Sequence, residues 1–507
     1  MDYTTLMLLI SIMWTIIFFF LTSHRTKTSK SSKLPPGPHP YPIIGNILEL
    51  VGTNPLDAFT KLSKIYGPVM TLKLGTSTTI VISSPQIAKE ALETNDIVFS
   101  SRTVPDAAKT LGHDKVSLVW MPPSPKWRSL RRACATKIFS PQQLDSTQFH
   151  RKRKVQDLLN YVQKCCEKGE ALDFGEVVLA TVMNSISETF ISMDLFHYCD
   201  PSNDDDNKKS REFKEMVFGI MEEVGRPNVV DFFPFLKLFD PQGVRTRMRN
   251  HFEKLLAFFY EVMKERMRLR ASGESKEYKD VLDSFLDLLN EENSQLCRHD
   301  VLHLFTDLFV AGIDTTSTTM EWAMAELLHN PSKLARLRKE LEQIHGKFGQ
   351  IEESDASKLP YLRAVVKEIL RLHPSVPFLV PHKSKDDGEL GGFMVPKNAQ
   401  ILVNVWSIGR NSSIWDNPNS FEPERFLESE IDFKGRDFEL VPFGAGRRIC
   451  PGLPLASRSI HYIMASLLHH FNFKLADDLK PDDMDMSHKF GVTLHKAQPL
   501  RVVPIKA

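Results

Sequence analysis

One stretch sets the scale of whatever this chain folds into: "DVLHLFTDLFVAGIDTTSTTMEWAMAELLHNP", Asp300 to Pro331. Asp300 is a good helix cap and Asn330-Pro331 a good stop, which predicts one helix of roughly 29 residues, about 43 Å long. A helix of that length crosses an entire domain. Helical periodicity dominates elsewhere too, and strand-like runs are short: "VMTLKLG" from Val69, "TTIVIS" from Thr78 and "QILVNVW" from Gln400. The expected fold is mainly α with a small β region. A chain of 507 residues has room for about three domains. After the first few dozen residues, however, it shows no long low-complexity linker and no internal repeat. The polar run "DPSNDDDNKKS", Asp200 to Ser210, reads as a solvated connection. One large domain is expected.

The centre of the long helix is odd. Ala311, Gly312, Ile313, Asp314, Thr315, Thr316, Ser317, Thr318 and Thr319 are poor helix interior. Threonine hydroxyls bond to carbonyls a turn back and bend a helix. Ala311 and Gly312 leave room against the backbone, either for a ligand flanked by Asp314 and Thr315 or for a neighbouring helix.

A second unusual stretch is "PFGAGRRICPG", Pro442 to Gly452. Glycines let a backbone turn tightly or lie against a flat surface. Arginines suit a site that holds negative charge, and a thiolate binds a soft or borderline metal. Together they suggest Cys450 presented to a large, flat, anionic, metal-containing ligand. The other cysteines are Cys134, Cys165, Cys166, Cys199 and Cys297, and none forms CxxC. That excludes a zinc pattern or disulfide framework and fits reduced thiols facing the cytosol. The net charge of +1 gives no global basic field for nucleic acid.

Thr4 to Leu21 is 18 residues without a charge, enough to span a bilayer. No small-x-small cleavage site follows. His24, Arg25, Lys27, Lys30 and Lys33 come next, so the positive-inside bias places the body in the cytosol. "KLPPGPHPYPIIGN", Lys33 to Asn46, is stiff and extended. The expected organisation is a single-pass anchor over 1–22, a basic and proline-rich hinge over 23–46, and a catalytic domain over 47–507.

Three further patterns stand out. "KEILRLHP" puts Glu368 and Arg371 on one helix face, and "FEPERF" adds Arg425, a third member for a buried ion cluster. "SPKWRSLRR" offers Ser124 as cap and Pro125 as first helical residue, with Trp127 and Arg131 one turn apart. An indole N–H and a guanidinium so placed can both reach a carboxylate; a core Trp beside a solvated Arg is the plainer reading.

Phe443-x-x-Gly446-x-Arg448-x-Cys450-x-Gly452 resembles the haem-binding loop of the cytochrome P-450 monooxygenases. The helix centre, Glu368 with Arg371, Arg425, and Trp127 with Arg131 resemble that family's other signatures in the expected order. The anchor and hinge match its microsomal members. The resemblance implies the haem-thiolate fold, haem b, O2, electrons from NADPH through NADPH-cytochrome reductase, and residence in the endoplasmic reticulum membrane. It makes Cys450 the axial thiolate, which favours O–O cleavage, within a loop of Phe443, Gly444, Gly446 and Gly452 whose N–H groups tune the sulfur. It assigns Arg448, Trp127, Arg131 and His382 to the haem propionates. Thr315 would hydrogen-bond the oxygen being activated, and Asp314 would help proton delivery. Glu368, Arg371 and Arg425 would be structural. A non-oxidative haem-thiolate isomerase or a haem sensor is disfavoured by the intact cysteine loop together with Asp314 and Thr315.

"SRTVPDA", "VDFFPFL", "FDPQG" and "EWAMAELLHNP" resemble one group of plant enzymes that includes the geraniol hydroxylases. The implied substrate is a small apolar terpenoid oxidised at an allylic methyl, with a geranylated phenol such as geranylhydroquinone, or a phenolic diterpene, as alternatives. By position, the pocket is expected to use Ala311, Val376, Phe378, Leu379, Val492 and Leu494. "VVDFFPFLKLF" is aromatic and amphipathic, which suits either a membrane-dipping segment or plain core.

Overall fold

A computed structural model of the protein describes residues 34–196, 198, 204–272, 280–292, 294–345, 349 and 351–506, with four isolated positions nearer the N-terminus. The expected anchor and the basic half of the hinge lie outside the described residues, those four positions apart. Among the described residues no helix is long and apolar enough to cross a membrane.

The main elements in chain order are α1 (Pro55–Tyr66), β1 (Val69–Leu74), β2 (Ser77–Ile82), β3 (Ser101–Arg102), α2 (Pro125–Lys137), α3 (Gln148–Lys168), α4 (Phe174–Ile191) and α5 (Asp204–Gly225). They continue with α6 (Val244–Ser272), α7 (Arg298–His329), α8 (Pro360–Leu372), β4 (His382–Lys383), β5 (Gln400–Val403), α9 (Leu453–His470), β6 (His488–Lys489) and β7 (His495–Lys496). The fold is helix-rich with small sheets, as expected. The largest sheet runs β1-β2-β5-β4-β3. β1 and β2 form an antiparallel hairpin, and β2 pairs with β5 in parallel, Ile80 opposite Ile401. β5 stops at Val403, short of the expected run, because Asn404 turns the chain: its side chain accepts from Ser407 N at 3.0 Å and caps a helical turn.

α7 is the expected long helix, 32 residues from Arg298 to His329. It starts two residues before Asp300. Cys297 is the cap, and Asp300 instead closes a capping box by accepting from Cys297 N at 3.0 Å. Asn330 and Pro331 end it as predicted, and Pro331 opens the next helix. α7 is buried on nearly every side. Phe190 of α4 meets Phe305 and Phe309 of α7 edge-to-face at 5.9 and 5.7 Å, and Phe259 of α6 closes on Phe309 at 4.9 Å. Truncating one of these buried rings to alanine costs about 3–5 kcal/mol. α9 packs against α7 lower down, and the two helices bracket the cavity described below.

Two expectations change. The connection expected over Asp200 to Ser210 is helical from Asp204; an acidic run complements the positive end of a helix dipole, which outweighs its turn-like composition. The end of the hinge is not a free spacer either. Thr71 N donates to Pro36 O at 2.8 Å, and Asn46 Oδ1 accepts from Lys73 N at 2.8 Å. A Cβ on Gly37 would sit 1.9 Å from Thr71 O, so only glycine lets the strand edge and this segment approach so closely.

Candidate active site

The cavity between α7 and α9 measures ≈ 1710 Å³ with its open mouth. One face is the stretch from Pro442 to the first turns of α9. Cys450 N donates to Phe443 O at 2.9 Å, which closes the loop into a tight bulge. Gly444 and Gly446 adopt φ of 68° and 61°, the left-handed region that glycine enters without strain. A Cβ on Gly446 would lie 2.0 Å from Leu92 O. Gly452 directly precedes α9, and a Cβ there would stand 3.8 Å from Cys450 Sγ. Burial pushes the Cys450 thiol up, opposed by the N–H groups of Gly452 and Leu453 at the start of α9 and by the charge of Arg131. A sulfur aimed into a cavity, under a helix N-terminus but kept from ionising by desolvation, is a donor waiting for a cation.

The edge of the cavity is cationic. Arg102, Arg131, His382 and Arg448 all line it. Arg131 donates to Ile449 O. Arg448 donates to Ser100 O at 2.8 Å and to Met121 O, and its guanidinium lies 4.5 Å from the Trp127 ring centre. His382 Nδ1 pairs with Phe99 O at 2.8 Å; since a carbonyl only accepts, Nδ1 carries the proton. Among the described residues no carboxylate lies within ion-pair distance of these three arginines, and Arg102 Nε has no partner at all. Burial, then mutual repulsion, pulls their affinity for protons down: Arg102 and His382 well below their usual values, Arg448 to about 9. Three clustered guanidiniums without an anion fit a ligand that carries carboxylates. The cavity between α7 and α9, the thiol on one face and this cationic edge together fit a haem.

Arg102 escaped the sequence reading. It sits in a two-residue strand, and only the antiparallel pairing of β3 with β4, Arg102 opposite His382, brings it to the edge. Trp127 is placed as expected one turn before Arg131 on α2, where Ser124 Oγ accepts from Trp127 N at 3.1 Å. Its indole N–H, however, donates to Leu118 O at 3.0 Å rather than into the cavity.

The opposite face is the centre of α7: Ala311, Gly312, Thr315, Thr316 and Thr319. Ala311 is exposed although the helix around it is buried, so its surface opens on the cavity. Gly312 serves both readings at once, since a Cβ there would come within 3.1 Å of Ile186 Cδ1 on α4. Thr315 Oγ1 donates to Ala311 O and Thr319 Oγ1 to Thr315 O, each at 2.8 Å. Asp314 points elsewhere. Its Oδ2 accepts from the Thr493 hydroxyl and lies 3.4 Å from His495 Nε2.

Glu368 and Arg371 are fully buried and joined by two hydrogen bonds of 2.7 Å. Arg425 Nε reaches Glu368 Oε1 at 3.2 Å, and Glu422 N donates to the same oxygen at 2.7 Å. Arg371 also donates to the carbonyls of Pro418 and Ser420 at 2.6 and 3.0 Å. The cluster fastens α8 to the segment that leads into the cysteine loop. Removing one partner from a buried pair costs about 3–5 kcal/mol.

Of the expected pocket residues, Ala311, Val376 and Leu379 line the cavity and Phe378, Val492 and Leu494 do not. Leu379 N bonds to Val376 O at 3.0 Å, and Leu379 has φ 53°. That turn puts Val376 and Leu379 on one side and sends Phe378 to Phe59, 5.0 Å between ring centres. Val492 abuts Gly225 at the end of α5, and Leu494 is fully buried beside Leu56 and Trp406. Phe190, Ile186 and Val182 of α4 line the cavity instead; a helix buried on nearly every side, polar residues included, gives no sequence signal for which residues face a ligand.

A family model described as Cytochrome P450 matches residues 35–501. Geraniol 8-hydroxylase of Catharanthus roseus is 49% identical over 504 residues, covering 99% of each chain. Cytochrome P450 76AD1 of Beta vulgaris is 46% identical over 506 residues, covering 100% of this chain and 99% of its own. Among solved structures, a zebra fish cytochrome P450 determined with progesterone is similar with a TM-score of 0.74 at 26% identity, covering 90% of this chain and 100% of that one.

Proposed function

Because the chain belongs to the cytochrome P450 family, we propose that it hydroxylates an allylic methyl of a geranyl-type monoterpenoid in plant specialised metabolism. The family makes it a haem-thiolate monooxygenase with a hydrophobic substrate, using O2 and electrons from NADPH delivered by a reductase. The observation that carries the substrate reading is the identity to geraniol 8-hydroxylase over nearly the whole chain. The apolar wall of Val119, Leu308, Ala311, Val376 and Leu379 agrees with it. A ten-carbon chain offers little to hydrogen-bond, so shape must select which carbon reacts.

Each residue then has a task. Cys450 would hold the iron through its thiolate. Arg102, Arg131 and Arg448 would neutralise the propionates, and His382, whose burial disfavours the charged ring, would join them only if protonated. When bound, the haem supplies the chemistry that puts one atom of O2 into a C–H bond and releases the other as water. Thr315 presents a hydroxyl at the cavity face, free to exchange its bond to Ala311 O for one to a group in the cavity. The apolar walls keep water from competing with the substrate.

Residues 1–22 anchor this body in the endoplasmic reticulum membrane, with residues 23–46 as the hinge and the catalytic domain in the cytosol. Supporting this, Phe235, Leu238 and Phe239 are 70%, 91% and 76% exposed. Thr76 N donates to Phe232 O at 2.9 Å and Gly75 N to Ile44 O at 3.2 Å, so that apolar segment adjoins the place where the hinge arrives. An apolar patch there suits insertion into the bilayer surface.

The test is a microsomal assay with reductase on geraniol, nerol, geranylhydroquinone and a phenolic diterpene. Hydroxylation of geraniol or nerol at an allylic methyl is expected. Turnover confined to the phenol or the diterpene, or to an unrelated fatty acid or phenylpropanoid, would overturn the reading.

A further inference from the structure

We propose that His495 takes protons from solvent and feeds them through Thr493 to Asp314, beside the oxygen-side face of the cavity. The proposal rests on the monooxygenase reading above. Asp314 is 1% exposed and sits next to Thr315, yet its carboxylate is turned away from the cavity and into the hairpin of β6 and β7. There Thr493 Oγ1 donates to Asp314 Oδ2, and His495 Nε2 lies 2.9 Å from the same Thr493 oxygen. A hydroxyl that gives its proton to a carboxylate must receive one from its other neighbour. The hydrogen bonds therefore run inward, from His495 Nε2–H to Thr493 to Asp314. The far end is open to water, since the His495 side chain is 36% exposed.

The hairpin is built to hold this line. Leu494 N donates to Ser375 O at 2.9 Å, and Leu494 O accepts from Trp322 Nε1 at 2.9 Å. With the Leu494 backbone pinned on both sides, its neighbours Thr493 and His495 both reach Asp314. Among the described residues no lysine or arginine pairs with Asp314. A permanent cation would hold the carboxylate ionised, whereas an imidazole can give its proton up.

The transfer balances as follows. Imidazolium Nε2–H passes its proton to Thr493 Oγ1 as the hydroxyl proton moves to Asp314 Oδ2. Imidazolium and carboxylate become imidazole and carboxylic acid; the acid then turns its side chain toward the cavity beside Thr315, gives its proton up there and returns as carboxylate, while the ring recovers a proton from solvent. The groups that face His495 are Asp314 and Glu321 from α7, Lys489 across the β6–β7 pairing, and Thr493. Burial lowers the imidazole's affinity for a proton, but the bond to Asp314 and the charges of Asp314 and Glu321 outweigh burial and Lys489, and the net shift is upward. The donor form is therefore populated below that raised value and lost as pH rises through it.

His495→Gln keeps a donor toward Thr493 but cannot relay a proton, and Thr493→Val cuts the line in its middle. Both should retain the reduced carbon-monoxide spectrum and substrate affinity. Their NADPH-supported turnover should fall about tenfold or more, the scale of a lost proton-transfer group, with electrons diverted to peroxide. The wild-type decline with rising pH should vanish. Turnover driven by an organic hydroperoxide, which arrives already reduced, should be unchanged in both. A second readout needs no turnover: the rate of diethylpyrocarbonate modification of His495, followed by peptide mass spectrometry, should rise at a given pH in Asp314→Asn, because the imidazole loses its anion. Wild-type coupling and pH profile in both variants, or an unchanged modification rate, would overturn the proposal. If no geranyl compound turns over with NADPH or hydroperoxide, the substrate reading fails, and the modification arm still decides the relay.

Discussion

Replacing Arg102 with glutamine should have opposite consequences with and without haem. Glutamine keeps a donor for Val380 O, which Arg102 Nη1 now supplies, and removes the charge. Without haem, Arg102 is a cation crowded by Arg131 and Arg448, with Nε unpartnered among the described residues. Losing that charge should leave the melting temperature of the apoprotein unchanged or raised, since an unpaired cation in a crowded site is a liability. With haem, the same change deletes a charge-assisted hydrogen bond to a propionate, worth about 1.5–3 kcal/mol. At 1.4 kcal/mol per tenfold, haem should leave roughly 10 to 150 times faster. Transfer of haem to excess apomyoglobin, followed by absorbance, measures that rate directly. An unchanged rate combined with a lower apoprotein melting temperature would refute the reasoning and make Arg102 a strut for Val380.

Thr315→Ala should retain haem and substrate binding while a larger share of NADPH ends as peroxide; unaltered coupling of NADPH use to product counts against a role for the hydroxyl. Val376→Phe intrudes on the cavity wall and should redistribute products or turnover with an intact carbon-monoxide spectrum. One methylene of misfit in an apolar pocket is worth about 1–3 kcal/mol, so ratios should shift tenfold or more, and an unchanged product profile would place Val376 away from the substrate.

Features that depend on neighbours in sequence were legible. The stop of α7, the Ser124 cap of α2, the strand runs of β1 and β2 and the glycine positions of the cysteine loop are all local, and the chain carries their signals in adjacent residues. The pairing of Glu368 with Arg371 is one helical turn and was legible for the same reason. What failed depended on which way a side chain faces. The 490–494 segment was expected at the pocket through Val492 and Leu494, but Leu494 meets α7 through its backbone carbonyl, and the side chains turned to Asp314 are those of Thr493 and His495. A strand's period of two makes a one-residue error a complete reversal. Phe378 was lost to a turn at Leu379 with positive φ, which apolar composition does not announce. Arg102 required knowing that β3 pairs with β4, a contact across 280 positions of chain. Asp314 was expected to offer its carboxylate to the ligand beside Thr315, but contacts with Thr493 and His495, distant in sequence, turn it the other way.

We propose that Cys450 holds the haem iron through its thiolate at the floor of this cavity. Cys450→Ser, compared with the wild type in the reduced, carbon-monoxide-bound spectrum, tests it most directly. The thiolate-type Soret band is expected in the wild type and its complete loss in the variant, with any retained haem showing the band of a weaker oxygen or nitrogen ligand. A thiolate-type band surviving in Cys450→Ser would contradict the claim and require another ligand.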